Sequence, residues 1–458
     1  MDYQVHITMV GAGYVGLISA ACFAELGHHV ICTDKDTYKI EALQNGDVPI
    51  YEPQLNAMIH KNIKQGTLKF SKSLSEAVTK SNIIFIAIGT PPLGNGDMDV
   101  SEIEIAIKDL APLLTDYKII VIKSTVPVGL SRRLSNMIRE INTNAQFSML
   151  ANPEFLRAGS GVHDFMHPDR IVVGMEDNAA LSFMNFIYQP LIKQGIPIHY
   201  TNLENCELIK YVSNCFLATK IAFTNEIADL CEALGTNISE VLYGVGLDKR
   251  IGNDYFQPGP GFGGSCLIKD AHSLVNIAKE KKAPLHLIES VLASNRHRKK
   301  TMVDKIIAAC HHSVQDKRLA ILGVSFKANT DDTRESTTLS IILQLQAQGA
   351  KLSIYDPKAK TTDLELLFGI KRGKDLIDTL RNTDVIVIMT EWEEFSKLDL
   401  KEIKNYFRNT LMEPTIIDLR NLYDPIKVSE AGIRYVSLGR PTVEPIKSKE
   451  VEPFTFES

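Results

Sequence analysis

Residues 259–270 read GPGFGGSCLIKD and set one cysteine, Cys266, behind four glycines and a proline, with Asp270 one helical turn further on. A cysteine outside a disulfide is usually a small buried hydrophobe. A glycine-rich loop is a poor place to bury one. The stretch SCLIKDAHSLVNIAKEK predicts a helix starting near Ser265. Cys266 is then expected at a positive helix N-terminus that lowers its pKa, with Asp270 over the same face. The glycines serve either a sharp backbone bend or the close approach of a ligand to the chain.

Two further polar stretches, KSTVPVG at 123–129 and NPEFLRAG at 152–159, each follow an apolar strand. They place Thr125 and Glu154 at the carboxyl edge of a sheet, where open α/β sheets bind ligands. Each has an ordinary alternative, Thr125 as a turn or cap residue and Glu154 as a solvated acid. Lys210 and Asn214 lie one turn apart on a long helix and share a face. A lysine there is otherwise a solvated charge.

The elements that must position these groups are legible from the start of the chain. VHITMVGAGYVGLISAACFAELGHHVICTD (5–34) runs strand, glycine turn, helix, strand, and ends on Asp34. Gly11, Gly13 and Gly16 form G-x-G-x-x-G between a strand and a helix N-terminus suited to a pyrophosphate. Asp34 can accept from an adenosine ribose and repels a 2'-phosphate, which favours NAD over NADP. Apolar strands at 83–88 and 119–123 extend a doubly wound parallel α/β sheet through a first domain, residues 1–200.

Residues 201–235 contain no Pro and no internal Gly, so they predict a spine helix spanning about 50 Å at about 1.5 Å per residue. Thr201 with Glu204 fits a capping box, and Gly235 fits a C-cap. This helix opens a central helical domain, 201–316, that also carries the cysteine loop. From 317 to 440 the opening pattern returns, with strand RLAILG, helix STTLSIILQLQAQG and strand KLSIYD. The loop GVSFKANTDDTRES lacks the three glycines, so this third domain is expected to bind another ligand or to bind differently. The tail, 441–458, alternates charge and proline and is expected to be loosely held.

The chain has 458 residues, 44% of them hydrophobic, and carries 50 Lys and Arg against 55 Asp and Glu. The near-neutral balance provides no broad basic footprint for nucleic acid or anionic membrane. Seven cysteines without a C-x-x-C pair or spaced His partners point to a reducing, cytoplasmic setting without a metal site. No apolar run reaches the length of a membrane span.

Taken together, GAGYVG (11–16), KSTVPVG, NPEFL, ELIKYVSN (207–214), the cysteine loop and FKANTDDTRES (326–336) resemble the UDP-glucose 6-dehydrogenases of the wider UDP-glucose and GDP-mannose dehydrogenase family. The resemblance covers the chain to about residue 440. It implies two Rossmann-like domains joined by a long central helix, and oxidation of a nucleotide-sugar C6 alcohol to a carboxylate with reduction of two NAD molecules. It makes Cys266 the nucleophile that captures the C6 aldehyde, carries it through a thioester and releases the acid to water. Lys210 with Asn214 is then the oxyanion-stabilising cation. Asp270 with Thr125 holds the catalytic water, and Glu154 is a second proton-handling group.

The same resemblance implies Asp34 and Lys39 at the adenosine ribose and Thr90 and Thr125 near the nicotinamide half. Lys269 and Arg334 are expected to reach NAD from the other domain. Phe155 and Leu156 are implied at the sugar and Tyr255, Phe256, Gln257, Pro258, Gly259 and Gly263 around the nucleotide. Lys327 is implied at the sugar or pyrophosphate. Arg250 and Arg420 match substrate positions that a second subunit can supply, so a homodimer is expected. One position departs from the family, which commonly has N-P-E-F-L-x-E-G where this chain has Ala158. GDP-mannose or a UDP-N-acetylhexosamine stays open as the substrate. A two-electron hydroxy-acid dehydrogenase should lack the cysteine loop, and an idle NAD-binding regulator has no reason to keep Cys266, Lys210 and Asp270 together.

Overall fold

The computed structural model describes residues 4–360, 367–408 and 412–446; of the expected tail, residues 447–458 lie outside these. Apolar, β-branched runs such as IIFI and KIIVI are buried along their whole length, as strands covered on both faces require. They build two sheets. The first comprises β1 (His6–Val10), β2 (His29–Thr33), β3 (Leu68–Ser71), β4 (Ile83–Ile86), β5 (Lys118–Ile122), β6 (Phe147–Ala151), β7 (Ile171–Met175) and β8 (Ile198–Thr201), in spatial order β3-β2-β1-β4-β5-β6-β7-β8. The second comprises β9 (Arg318–Leu322), β10 (Lys351–Tyr355), β11 (Lys371–Arg372), β12 (Val385–Ile388), β13 (Thr415–Asp418) and β14 (Arg434–Ser437), in order β11-β10-β9-β12-β13-β14.

Numbered within each sheet, both orders begin 3-2-1-4-5-6, the doubly wound arrangement whose switch point separates the first and fourth strands. The first sheet is not parallel throughout. β7 runs antiparallel to β6 and parallel to β8. The NPEFL stretch and the short helix Gly161–Met166 follow β6, and the chain re-enters the sheet from the edge it has just left.

The chain packs as two units. One holds the chain up to Cys215 together with Lys269–Leu285; the other holds Phe216–Ile268 and the chain from His286 onward. Residues 201–316 are thus divided between the two. The spine helix, Leu203–Leu234, contributes to each. It starts one residue later than the expected capping box implies. Asn202 is the cap, with Oδ1 accepting from Asn205 N at 2.8 Å, because Thr201 is still strand. Gly235 ends the helix at φ +70°, with Thr236 N bonded to Cys231 O in a Schellman turn.

The core of the first unit centres on Phe23, which is fully buried, with its ring 4.9 Å from Phe85, 5.0 Å from Phe165 and 5.6 Å from Tyr188. It ties the helix behind the glycine turn to β4 and to the helix after NPEFL. Phe23→Ala is expected to cost the first unit about 3–5 kcal/mol, read as an earlier first transition in urea unfolding.

Candidate active site

Gly11, at φ +105°, closes the turn after β1, and a Cβ on Gly16 would lie 1.9 Å from Gly11 O. Nothing lies within 4 Å of a Cβ placed on Gly13. Packing therefore explains two of the glycines and leaves open space in front of the third. The helix Tyr14–Glu25 has no side-chain cap and no acid in its first turn, so its positive end is left for a ligand. Asp34 stands beside this turn and accepts from Ala12 N at 2.7 Å, Asp36 N at 2.9 Å and Lys39 Nζ at 3.3 Å. Burial opposes its ionisation, but the Asp36 and Ala12 N–H groups and the Lys39 charge outweigh it and hold the carboxyl below its usual range. These residues fit an NAD pyrophosphate and adenosine ribose. At the same edge Thr90 Oγ1 donates to Thr125 O at 2.9 Å, joining the loops after β4 and β5.

Glu154 and Lys210 form a buried ion pair at 3.2 Å, with Glu154 6% and Lys210 3% exposed. Neither is the solvated charge it could have been. Glu154 Oε2 also accepts from Leu156 N at 2.5 Å, so the carboxylate is fixed by its own loop. Phe155 lies under two cations, 3.9 Å from the Arg170 guanidinium and 5.3 Å from Lys210 Nζ. Asn214 Nδ2 donates to Asp270 Oδ2 at 2.6 Å, and Lys269 Nζ to Asp270 Oδ1 at 2.7 Å. Asp270, 1% exposed, sits in the first turn of the helix Leu267–Glu280. Lys269 belongs to the same unit as the first sheet rather than to the other one.

Two supporting acids have no role that the motifs assign. Glu52, 4% exposed, accepts from Tyr14 Oη at 2.6 Å, Gly159 N at 2.8 Å and Gly161 N at 2.7 Å. It thus ties the start of the dinucleotide helix to the loop behind Glu154. Glu207 accepts from Gly129 N and Ser131 N, capping the helix Leu130–Ile141 that follows KSTVPVG. Burial raises its pKa despite those N–H donors. An acid before a proline or one just past the first turn of a helix is too common a pattern to have marked either.

In the second unit, Cys266 is exposed while the other six cysteines are buried, and it immediately precedes the helix Leu267–Glu280. The helix begins two residues later than expected from Ser265. Arg334 pairs with Asp332 at 2.7 Å, and this bond favours its charge most; burial opposes it, and Cys266 is among the groups that favour it further. The glycines before Cys266 mainly admit protein rather than ligand. A Cβ on Gly263 would meet Glu335 O at 2.5 Å, and one on Gly264 the Phe326 ring at 2.9 Å. Gly259 N donates to Asn225 Oδ1 at 2.8 Å and Arg298 Nε to Gly259 O at 3.0 Å, while Asn295 brackets Phe262 through both its N–H and its carbonyl. These three buried side chains strap the loop to two helices.

Arg420 lies against Gly259, whose Cβ would be 3.1 Å from its Nη1, and donates to Met389 O and Phe326 O. Lys327 Nζ lies 5.9 Å from the Phe326 ring centroid. Arg420, Gly259, Gly263 and the 326–327 stretch therefore converge within one chain. Pro258 is buried beside Gly259, Gln257 is exposed, and Tyr255 adopts φ +63°. The Phe256 ring is engaged by Lys220 Nζ at 4.4 Å. Arg250 is not brought to this group; it is exposed and pairs with Asp248.

The second sheet repeats the first with its ligand groups used internally. Asp356, at the end of β10 as Asp34 is at the end of β2, accepts from Val324 N, Ser325 N, Lys358 N and Ala359 N. A Cβ on Gly323 would meet Thr390 Oγ1 at 1.8 Å. Among the described residues, the turn after β9 therefore leaves no open cradle like the one at Gly13.

Residues 5–192 match the UDP-glucose/GDP-mannose dehydrogenase family, NAD binding domain, residues 204–297 its central domain and residues 320–425 its UDP binding domain. The chain is 43% identical to the UDP-glucose 6-dehydrogenase of Rhizobium meliloti (strain 1021) over 95% of its own length and 99% of that protein. The chain belongs to the UDP-glucose/GDP-mannose dehydrogenase family. Among solved structures it is similar to a UDP-glucose dehydrogenase from Pyrobaculum islandicum, with a TM-score of 0.86, 33% identity and coverage of 95% and 98% of the two chains. It is also similar to a UDP-D-ManNAc dehydrogenase from Pyrococcus horikoshii, with a TM-score of 0.82, 26% identity and coverage of 95% and 99%. It is an NAD-dependent oxidoreductase of this family, and the glycine turn with Asp34 fits that cofactor.

Two outcomes follow for this family member. Asp34→Asn keeps an acceptor for Ala12 N but removes the negative charge, so the preference for NAD over NADP should fall about tenfold or more, measured as the ratio of kcat/KM values. Glu52→Ala leaves the Gly159 and Gly161 N–H groups unpaired, and should cost about 2–5 kcal/mol in urea unfolding.

Proposed function

We propose that the protein oxidises UDP-glucose at C6 to UDP-glucuronate, using two NAD and one water per sugar, with Cys266 as the covalent nucleophile. The observation that carries the reading is the exposed thiol of Cys266 directly ahead of a helix N-terminus, beside Arg334, while every other cysteine is buried. A dehydrogenase that stops at a carbonyl has no need of it. UDP-glucose is favoured over its sister substrates because the relatives bearing that name are 43% and 33% identical, against 26% for the UDP-D-ManNAc enzyme.

NAD, when bound, takes up a hydride from C6 in each of two oxidations. The chain's own groups do the rest. In the first oxidation the alcohol proton passes to the water that Asp270 and Thr125 hold, leaving an aldehyde. The Cys266 thiolate adds to that carbonyl, forming a C–S bond and an oxyanion. Lys210, set by Asn214's shared face and by its contact with Glu154, stabilises the oxyanion charge in a water-poor site. Loss of the second hydride leaves a thioester. Water adds, the C–S bond breaks, the thiolate departs, and Glu154 and the Asp270-bound water carry the released protons away.

Phe155, Leu156 and Lys327 are assigned to the sugar and pyrophosphate, residues 255–259, Gly263 and Arg420 to the nucleotide, and Lys39, Thr90, Lys269 and Arg334 to NAD. In this reading residues 1–200 bind NAD, 201–316 carry the catalytic cysteine and 317–440 bind the UDP moiety. A homodimer is part of the reading. The spine helix leaves Val212, Phe216, Phe223, Leu230 and Leu234 exposed, an apolar stripe suited to a second copy, and Arg250 is then available to the partner. No helix among the described residues is long and apolar enough to cross a membrane.

With UDP-glucose and NAD, two NADH per sugar are expected; one per sugar would indicate a simple alcohol oxidation. Cys266→Ser should retain NAD binding by titration and lose net acid production. Normal acid output from that variant would overturn the nucleophile assignment.

A further inference from the structure

Lys123 is the first residue past β5 and only 5% exposed, yet it has no part in the reaction described above. Its Nζ donates to Asn152 Oδ1 at 3.0 Å and lies 5.7 Å from the Phe165 ring centroid. Asn152 Oδ1 also accepts from Tyr188 Oη at 2.6 Å, and its Nδ2 donates to Val172 O at 2.8 Å. A neutral amide thus receives the ammonium, and among the described residues no carboxylate forms an ion pair with it. Lys123 lines one cavity with Asn152, Glu154, Asp164, Arg170 and Tyr188. Asp164 is already paired with Arg157, and Arg170 lies on Phe155. Glu154 is the anion whose charge acts most on Lys123; Cys206 and Lys210 of the spine helix and Cys22 of the dinucleotide helix also face it.

We propose that Lys123 is a positioning residue whose protonation switches the charge felt by the Glu154–Lys210 pair. Two buried cations share one buried carboxylate. Lys210 holds it by contact, and Lys123 acts on it across the cavity. While Lys123 is protonated its charge attracts the Glu154 carboxylate and repels the Lys210 ammonium; once it is neutral both forces are gone. Burial brings Lys123 down to about 8 against the pull of Glu154, with the Lys210 charge adding a smaller push, so this change falls in the working range of a proton-transfer site.

The proposal rests on the C6-oxidation reading, and its test has an arm that does not. In the activity arm, the pH profile of kcat/KM for UDP-glucose is compared between wild type and Lys123→Met. The wild-type inflection near pH 8 should disappear. Tyr188→Phe removes the other donor to Asn152 without changing charge and should keep the wild-type profile. Superimposable profiles for wild type and Lys123→Met, or a Tyr188→Phe profile matching Lys123→Met, would overturn the proposal. Should Lys123→Met fail to fold, Asn152→Asp places a carboxylate against Nζ and should move the inflection to higher pH; an unmoved inflection would count against it.

The second arm needs no substrate. An unfolded lysine titrates near about 10.4, above Lys123 in the folded chain, so between about pH 8 and 10.4 the unfolded state binds the extra proton and stability rises with pH. That rise should be present in urea unfolding of wild type and absent in Lys123→Met. It should begin at lower pH in Glu154→Gln, which loses the attracting charge, and at higher pH in Lys210→Met, which loses the repelling one. Unshifted onsets in both would sink the coupling, while absence of turnover with UDP-glucose and NAD would sink the substrate reading alone.

Discussion

The Glu154–Lys210 pair is the constraint on which the first unit turns. Two opposite charges 3.2 Å apart and almost wholly buried gain much by attraction, but each has given up its hydration. The pair is tolerable only if both partners are held so that neither can be left alone. Glu154 is held by the Leu156 N–H and by a loop tied at Gly159 and Gly161 to Glu52; Lys210 is held by a helix capped at Asn202. The long spine helix is therefore more than a connector. Along two turns it delivers Glu207 to the loop carrying Thr125, Lys210 to Glu154 and Asn214 to Asp270.

A second theme is how one sheet design serves two ligands. In the first sheet the turn after β1 is short, and the helix N-terminus is left without an acid or a cap. In the second sheet a carboxylate at the corresponding strand end, Asp356, is consumed by four backbone N–H groups, and Thr390 fills the space at Gly323. Backbone donors bonded to a protein carboxylate cannot bind a phosphate. The turn after β9 is thus closed to a phosphate in the way the turn after β1 is not, although residues 320–425 match the family's UDP binding domain.

What the sequence disclosed follows from what has a local signature. The glycine turn, Asp34, the two strand patterns and the spine helix are written in short-range spacing, and each lies where that spacing puts it. The exposed Cys266 was legible because glycine-rich loops seldom bury a thiol. The burial of Lys210 was not, since nothing in ELIKYVSN says that a carboxylate 56 residues earlier will cover it. The straps on the cysteine loop, Asn225, Asn295 and Arg298, were equally hidden. Each acts on backbone groups some 33–39 residues away, and polar residues on long helices look alike until the fold closes. The antiparallel turn into β7 escaped because strand direction is set by where the chain re-enters the sheet, not by composition.

Ala158 shows how far that hidden scaffolding reaches. Where the family commonly has a second glutamate, this chain has a methyl group, and the loop could be expected to loosen. Its backbone is fixed on both sides nonetheless. Arg157 N is bonded to Asp164 and Gly159 N to Glu52, each at 2.8 Å. The course of the loop, and with it the placement of Glu154, does not depend on the side chain at 158. A carboxylate there could add chemistry but is not needed for geometry. The Glu154 carboxylate therefore keeps its place beside Lys210 without that second acid, held by its own loop and by the buried cation against it.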